Sequence, residues 1–123
     1  MFQSSLLYAD RRLQGFDAAA VLEVIEHIEP ERLATLERIV FGVTRPHLVV
    51  LTTPNSEYNA LFPTLAPGRL RHPDHRFEWT RAQFTDWASD VAVRFGYAVS
   101  FAAVGEPDPT FGPPTQMAVF RCN

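Results

Sequence analysis

Hydrophobic and polar positions alternate along this chain in blocks that predict a mixed α/β fold. Residues Phe16 to Ile25, FDAAAVLEVI, form a nearly continuous apolar run, as expected of a strand buried on both faces. The run is rich in alanine, so a helix is a competing reading. Glu29 and Pro30 predict a helix entry, with proline in the first turn. Leu33, Leu36 and Val40 supply its apolar stripe, and Gly42 its stop. His47 to Thr52, HLVVLT, is short, β-branched and flanked by Pro46 and Pro54, which predicts a second buried strand. From Asn55 to Phe77 the chain is polar, with one helical turn expected near Tyr58 to Leu61. Thr80 and Gln83 match a capping box. Phe84, Trp87, Ala88, Val91, Ala92 and Phe95 follow at helical spacing on one face, and Gly96 is placed to end the helix. Strands are expected near Tyr97 to Val104 and Gln116 to Arg121, joined by the turn-rich GEPDPTFGPP. The order is strand, helix, strand, loop, helix, strand, strand, with no internal repeat. A right-handed crossover makes the first two strands parallel neighbours.

Composition narrows the class. The chain has 123 residues, one domain's worth, with 46% hydrophobic and 20% charged residues, as in soluble globular proteins. No apolar run reaches the roughly 20 residues of a membrane helix. MFQSSLLYADRR lacks a signal-peptide pattern, so a cytoplasmic location is expected. Cys122 has no partner for an internal disulfide and reads as an inert thiol. A net charge of −3 argues against broad, nonspecific nucleic-acid binding. All 11 basic residues are arginine, which suits phosphate recognition but equally fits the codon usage of a GC-rich genome.

Two segments carry candidate chemistry. Open parallel sheets place their sites at the carboxyl ends of strands. The first strand leads into Glu23, Glu26 and His27, and the second into Thr52, Thr53, Pro54 and Asn55. If the strands are neighbours, both groups face one crevice. Two carboxylates and an imidazole within five residues suit a divalent cation. By spacing alone they also suit an ordinary solvated strand–helix junction. The second segment, RLRHPDHRFEWTR from Arg69 to Arg81, holds four arginines and two histidines. Either His75 or His72 completes a metal site while the arginines meet phosphates, or the segment is a solvated loop whose Phe77 and Trp79 plug the core.

Taken in order, EVIEH, TTPNSEYN and DHRFEWTRAQF resemble the small-RNA 3′-terminal ribose 2′-O-methyltransferases, the HUA ENHANCER family. SSLLYADRRLQGFD resembles the family's segment ahead of the metal strand, so the likeness runs from about Ser4 to Phe120. It implies the C-terminal half of a Rossmann-like class I methyltransferase fold, a mostly parallel sheet with a terminal antiparallel strand pair. It implies Glu23, Glu26, His27 and His75 as ligands of Mg²⁺ or Mn²⁺, with His72 outside the motif. Ser5 and Leu6 match positions flanking the adenine of S-adenosylmethionine. Asn55 falls where a polar group could touch the cofactor or the terminal nucleotide, and Thr53, Arg71 and Arg76 are assigned to the crevice by proximity. The implied activity is metal-dependent methylation of the 2′-hydroxyl at an RNA 3′ end, in RNA repair or RNA-mediated silencing. An end-healing kinase or ligase is an expected partner.

The six glycines form no GxGxxG, and no two lie closer than seven residues apart. The expectation is therefore a single partial domain, 1–123, without the Gly-rich cofactor-binding half. Its exposed sheet edges would invite self-association. The competing functions are a non-catalytic metal- or RNA-binding module and an unrelated metal-dependent hydrolase.

Overall fold

The computed structural model describes residues 18–66 and 69–122. Ser5 and Leu6 lie outside the described residues. Four strands form one sheet in the order β1-β2-β4-β3: β1 Ala18–Leu22, β2 Leu48–Pro54, β3 Tyr97–Val104 and β4 Thr115–Cys122. β1 and β2 pair in parallel, with Ala18 opposite Leu48 and Leu22 opposite Thr52. β4 runs antiparallel to both β2 and β3, so three strands share a direction and β4 opposes them. Ala18–Leu22 is a strand, which resolves the competition with a helix. It is shorter than the apolar run suggests. Glu23 breaks away with φ 55°, held by its N–H donating to Thr52 O at 3.1 Å, and Ile25–His27 form a 3₁₀ turn. A non-glycine residue in this region costs energy unless its surroundings hold it there.

The connection from β1 to β2 is a composite helix. Pro30–Arg32 form a 3₁₀ turn, Leu33–Glu37 an α-helix (α1), and Arg38–Thr44 a π-helical segment. Gly42 is not the stop. The helix passes through it, because a side chain there would press on Phe95: an added Cβ would stand 3.3 Å from the ring. Arg45 ends the helix instead, in a left-handed conformation (φ 44°). Its N–H donates to Val40 O at 3.0 Å, and its guanidinium donates to Phe95 O at 2.7 Å and Phe41 O at 3.1 Å. Those bonds replace the freedom that glycine normally supplies at such a position.

α2, Arg81–Phe95, forms as its sequence requires. Thr80 and Gln83 make the reciprocal capping box, and Gly96 closes the helix with φ 77°. Phe84, Ala88, Val91 and Ala92 are buried, while Trp87 and Phe95 pack at the core's margin. The core joins Val21, Val49, Leu51, Ala118 and Phe120 of the sheet to Leu36 and Phe41 of the composite helix. Phe41 packs edge-on to Phe120 and Tyr97, with ring centres 4.8 and 5.4 Å away. This packing holds β1 and β2 in register, so their carboxyl ends and the 69–79 loop meet at one end of the sheet.

Candidate metal centre

The parallel pairing sets Glu23 and the 3₁₀ turn beside Thr52 and Thr53. Glu26 points inward and is fully buried. Its Oε1 accepts from Thr53 Oγ1 at 2.8 Å. Its Oε2 is the one buried side-chain oxygen or nitrogen without a hydrogen-bond partner among the described residues. An orphaned buried carboxylate oxygen is costly and calls for an explanation. His27 Nε2 lies 3.8 Å from that oxygen.

The 69–79 loop brings the third group. Arg76 N–H donates to Glu26 O at 2.6 Å, which ties the loop to the 3₁₀ turn. His75 then stands edge-on to His27, with ring centres 4.8 Å apart. One ligand atom from each of Glu26, His27 and His75 falls within 4.8 Å of the others. That donor set, one carboxylate and two imidazoles, fits a divalent transition cation, and the orphaned oxygen belongs to it. His72 does not join this group. It is exposed, 5.6 Å from the His75 ring and 6.4 Å from the His27 ring, and its Nδ1 accepts from Asp74 N–H.

Glu23 stands at the rim rather than in the tight cluster. It is solvent-accessible, and Thr52 Oγ1 approaches its carboxylate at 3.5 Å. Partial burial raises its pKa above the ordinary carboxylate value, against the pull of Arg71, His75, Thr52 and His27. Burial raises the Glu26 pKa as well, against its own backbone N–H and Thr53, and the neighbouring Glu23 charge adds to the rise.

Glu78 is the residue that sequence reasoning left unassigned. Its side chain is fully buried, and its Oε2 stands 2.5 Å from His75 Nδ1. The three-residue spacing of His75 and Glu78 was visible, but spacing in a loop does not say which way two side chains turn. Arg71, expected at the crevice, is half-buried there, near Glu23, Glu26 and Glu78. Its guanidinium donates to Asn55 O and Asn59 Oδ1 and lies over the Tyr58 and Phe62 rings at 5.9 and 5.2 Å. Arg76 is exposed, and Phe77 and Trp79 pack against the core, as the second reading of this segment expects.

Asn55 also departs from its expected part. It is fully buried, and its amide donates to Phe111 O and Pro113 O, each at 2.8 Å. Its Oδ1 accepts from Glu57 N–H at 3.1 Å, capping the 3₁₀ helix Ser56–Leu61. A buried carboxamide with both protons engaged inside the protein has none left to donate to a cofactor or nucleotide. Asn55 fastens the 108–114 loop to the end of β2.

No family model matches the chain. Small RNA 2′-O-methyltransferase of Gallus gallus is 44% identical over 124 residues, covering 98% of this chain and 32% of that protein. The Arabidopsis thaliana protein of the same name is 35% identical over 136 residues, covering 98% of this chain and 14% of that protein. Among solved structures, small RNA methyltransferase HEN1 superposes with a TM-score of 0.89 at 38% identity, over 97% of this chain and 15% of that one. The methyltransferase domain of bacterial CtHen1-C gives 0.82 at 51% identity, over 97% of this chain and 58% of that one. An S-adenosylmethionine-dependent methyltransferase from Archaeoglobus fulgidus, 12% identical, matches with a TM-score of 0.64 and shows the fold alone.

The architecture is therefore that of the Rossmann-like methyltransferases. Within that class, the chain is homologous to a segment of the small RNA 2′-O-methyltransferases, and it spans about a third of the length of the vertebrate relatives it matches. No helix among the described residues is long and apolar enough to cross a membrane.

Proposed function

We propose that this chain forms the metal-binding part of an S-adenosylmethionine-dependent RNA methyltransferase acting on the 2′-oxygen of the 3′-terminal ribose. Glu26, His27 and His75 hold a divalent cation, with Glu23 joining from the rim. The observation that carries this reading is the Glu26 carboxylate, buried with one oxygen unpartnered and two imidazoles beside it. Charge supports it too. Glu23, Glu26 and Glu78 lie around one half-buried guanidinium, Arg71, leaving two formal negative charges for a divalent cation to neutralise. A bound divalent cation lowers the pKa of an oxygen it touches, which is what a ribose hydroxyl needs to become a nucleophile.

The chain's own residues do the holding. Thr53 fixes Glu26 by its Oε1 and leaves Oε2 toward the histidines. The Arg76 N–H bond keeps the 69–79 loop, and His75 with it, against the Ile25–His27 turn. Arg69 and Arg76 are exposed on that loop and offer charge to a phosphate backbone. Ser5 and Leu6 remain the proposed contacts to the S-adenosylmethionine adenine. A relative 27% identical to this chain was solved in a Pnkp1/Rnl/Hen1 RNA repair complex, which supports RNA end-healing partners for this protein as well.

The test is transfer of a labelled methyl group from S-adenosylmethionine to a synthetic RNA by the full-length protein carrying this chain, with Mn²⁺ added. An RNA ending in a free 2′,3′-diol should be methylated, and RNAs ending in 2′-deoxyribose or a 3′-phosphate should not. Equal methylation of all three overturns the proposed substrate. Metal binding without any transfer favours a non-catalytic metal- or RNA-binding module.

A further inference from the structure

Glu78 has no part in the site as derived from the ligand residues alone, yet it is the most constrained carboxylate beside it. Its Oε1 accepts from Asn59 Nδ2 at 2.7 Å. Its Oε2 accepts from Arg71 N–H at 2.7 Å and faces His75 Nδ1 at 2.5 Å. The side chain is fully buried, and that of His75 nearly so. Asn59 and Arg71 belong to the two segments flanking a groove of about 540 Å³, lined in part by Ser56, Asn59, Arg69, Leu70 and Glu78. The carboxylate is therefore clamped from three directions and cannot turn away from the imidazole.

We propose that Glu78 is a positioning residue that sets the His75 tautomer for the cation. This rests on the metal reading above. The chemistry is specific. A carboxylate accepts hydrogen bonds and does not donate them, so the neutral His75 ring carries its proton on Nδ1. Nε2 then keeps its lone pair, free for a metal. Glu78 meets three donors: Asn59 Nδ2, the Arg71 N–H and the His75 Nδ1–H. Methionine has a similar length but offers none of them a strong acceptor. Without that acceptor nothing holds the His75 proton on Nδ1, and when the ring carries it on Nε2 the metal-facing lone pair is lost.

The experiment compares the full chain with its Glu78→Met and Asn59→Ala variants. The His75 ring nitrogens are assigned by ¹⁵N NMR, Mn²⁺ affinity is measured by EPR titration, and folding is checked by thermal melting. The expected wild-type tautomer is Nδ1–H. Glu78→Met should release the proton from Nδ1 and weaken Mn²⁺ binding about 10- to 100-fold in folded protein. Asn59→Ala removes a bond to Glu78 but not the His75 contact, so it should lower stability and leave tautomer and affinity unchanged. If Glu78→Met does not fold, Glu78→Asp replaces it, since the shorter carboxylate retreats from Nδ1 and should give the same loss. A wild-type ring protonated on Nε2, or a folded Glu78 variant binding Mn²⁺ as tightly as wild type, overturns the inference. A wild-type chain that binds no Mn²⁺ overturns the metal reading and this one with it. Failure of the inference alone is distinguished by wild-type binding that the variant matches.

Discussion

Glu26→Gln should stabilise the metal-free protein and abolish its response to metal. Glu26 is buried, its Oε2 lacks a hydrogen-bond partner, and Glu23 adds like charge nearby. A buried unsatisfied acceptor costs about 1–3 kcal/mol, more when charged. Glutamine keeps the volume and keeps Oε1 as acceptor for Thr53 Oγ1. It replaces the orphaned oxygen with an NH₂ directed at His27 Nε2, 3.8 Å away. The expected net gain is about 1–2 kcal/mol, and for a chain of this size about 4 °C of melting temperature accompanies each kcal/mol. Metal reverses the ranking. At Mn²⁺ one hundred times its dissociation constant, the wild type gains about 2.7 kcal/mol by linkage, while the variant gains almost nothing. Differential scanning calorimetry of both proteins in chelator and in Mn²⁺ reads the effect directly. The melting curves should exchange order. A variant less stable than wild type in chelator, or one stabilised equally by Mn²⁺, refutes the reasoning.

Two further outcomes follow from the same geometry. Asn55→Ala removes three internal hydrogen bonds and strands the Phe111 and Pro113 carbonyls. It should cost about 2–4 kcal/mol in urea unfolding and leave Mn²⁺ affinity intact. Unchanged stability would return Asn55 to a binding role. Tyr97 is buried and donates to Pro46 O at 2.6 Å; burial, with a lesser push from Cys122, raises its phenol to about 12. Because the folded value lies above the unfolded one of about 10, its contribution to stability is complete below pH 10 and fades as pH rises toward 12. Ultraviolet titration should find a tyrosine ionising at about 12 that Tyr97→Phe removes; ionisation of Tyr97 at 10 would contradict the burial argument.

Much of this architecture was legible from local chemistry. The Thr80–Gln83 box, the apolar face from Phe84 to Phe95 and Gly96 specify α2 within a single stretch of chain, because capping and periodicity are short-range. The crevice was legible as well, since adjacent parallel strands necessarily bring the residues after Leu22 and Thr52 together. Tertiary packing decided the rest. Gly42 resembles a helix stop until Phe95, more than fifty residues later, occupies the space beside it. Asn55 resembles a ligand residue because its amide is polar and near the crevice; only the fold reveals that the 108–114 loop takes both its amide protons and that its oxygen caps the turn after it. Glu78 was passed over for the opposite reason. Its role depends on side-chain directions within a loop, which no periodicity encodes.

The central claim is that Glu26, His27 and His75 grip a single cation. Pulsed EPR on the Mn²⁺-loaded chain reads it most directly, through couplings to the nitrogens of bound imidazoles. The account predicts two such nitrogens, with one lost in His27→Ala and one in His75→Ala, and no change in His72→Ala. Tightly bound Mn²⁺ without imidazole nitrogen coupling, or coupling that disappears only with His72, would contradict it.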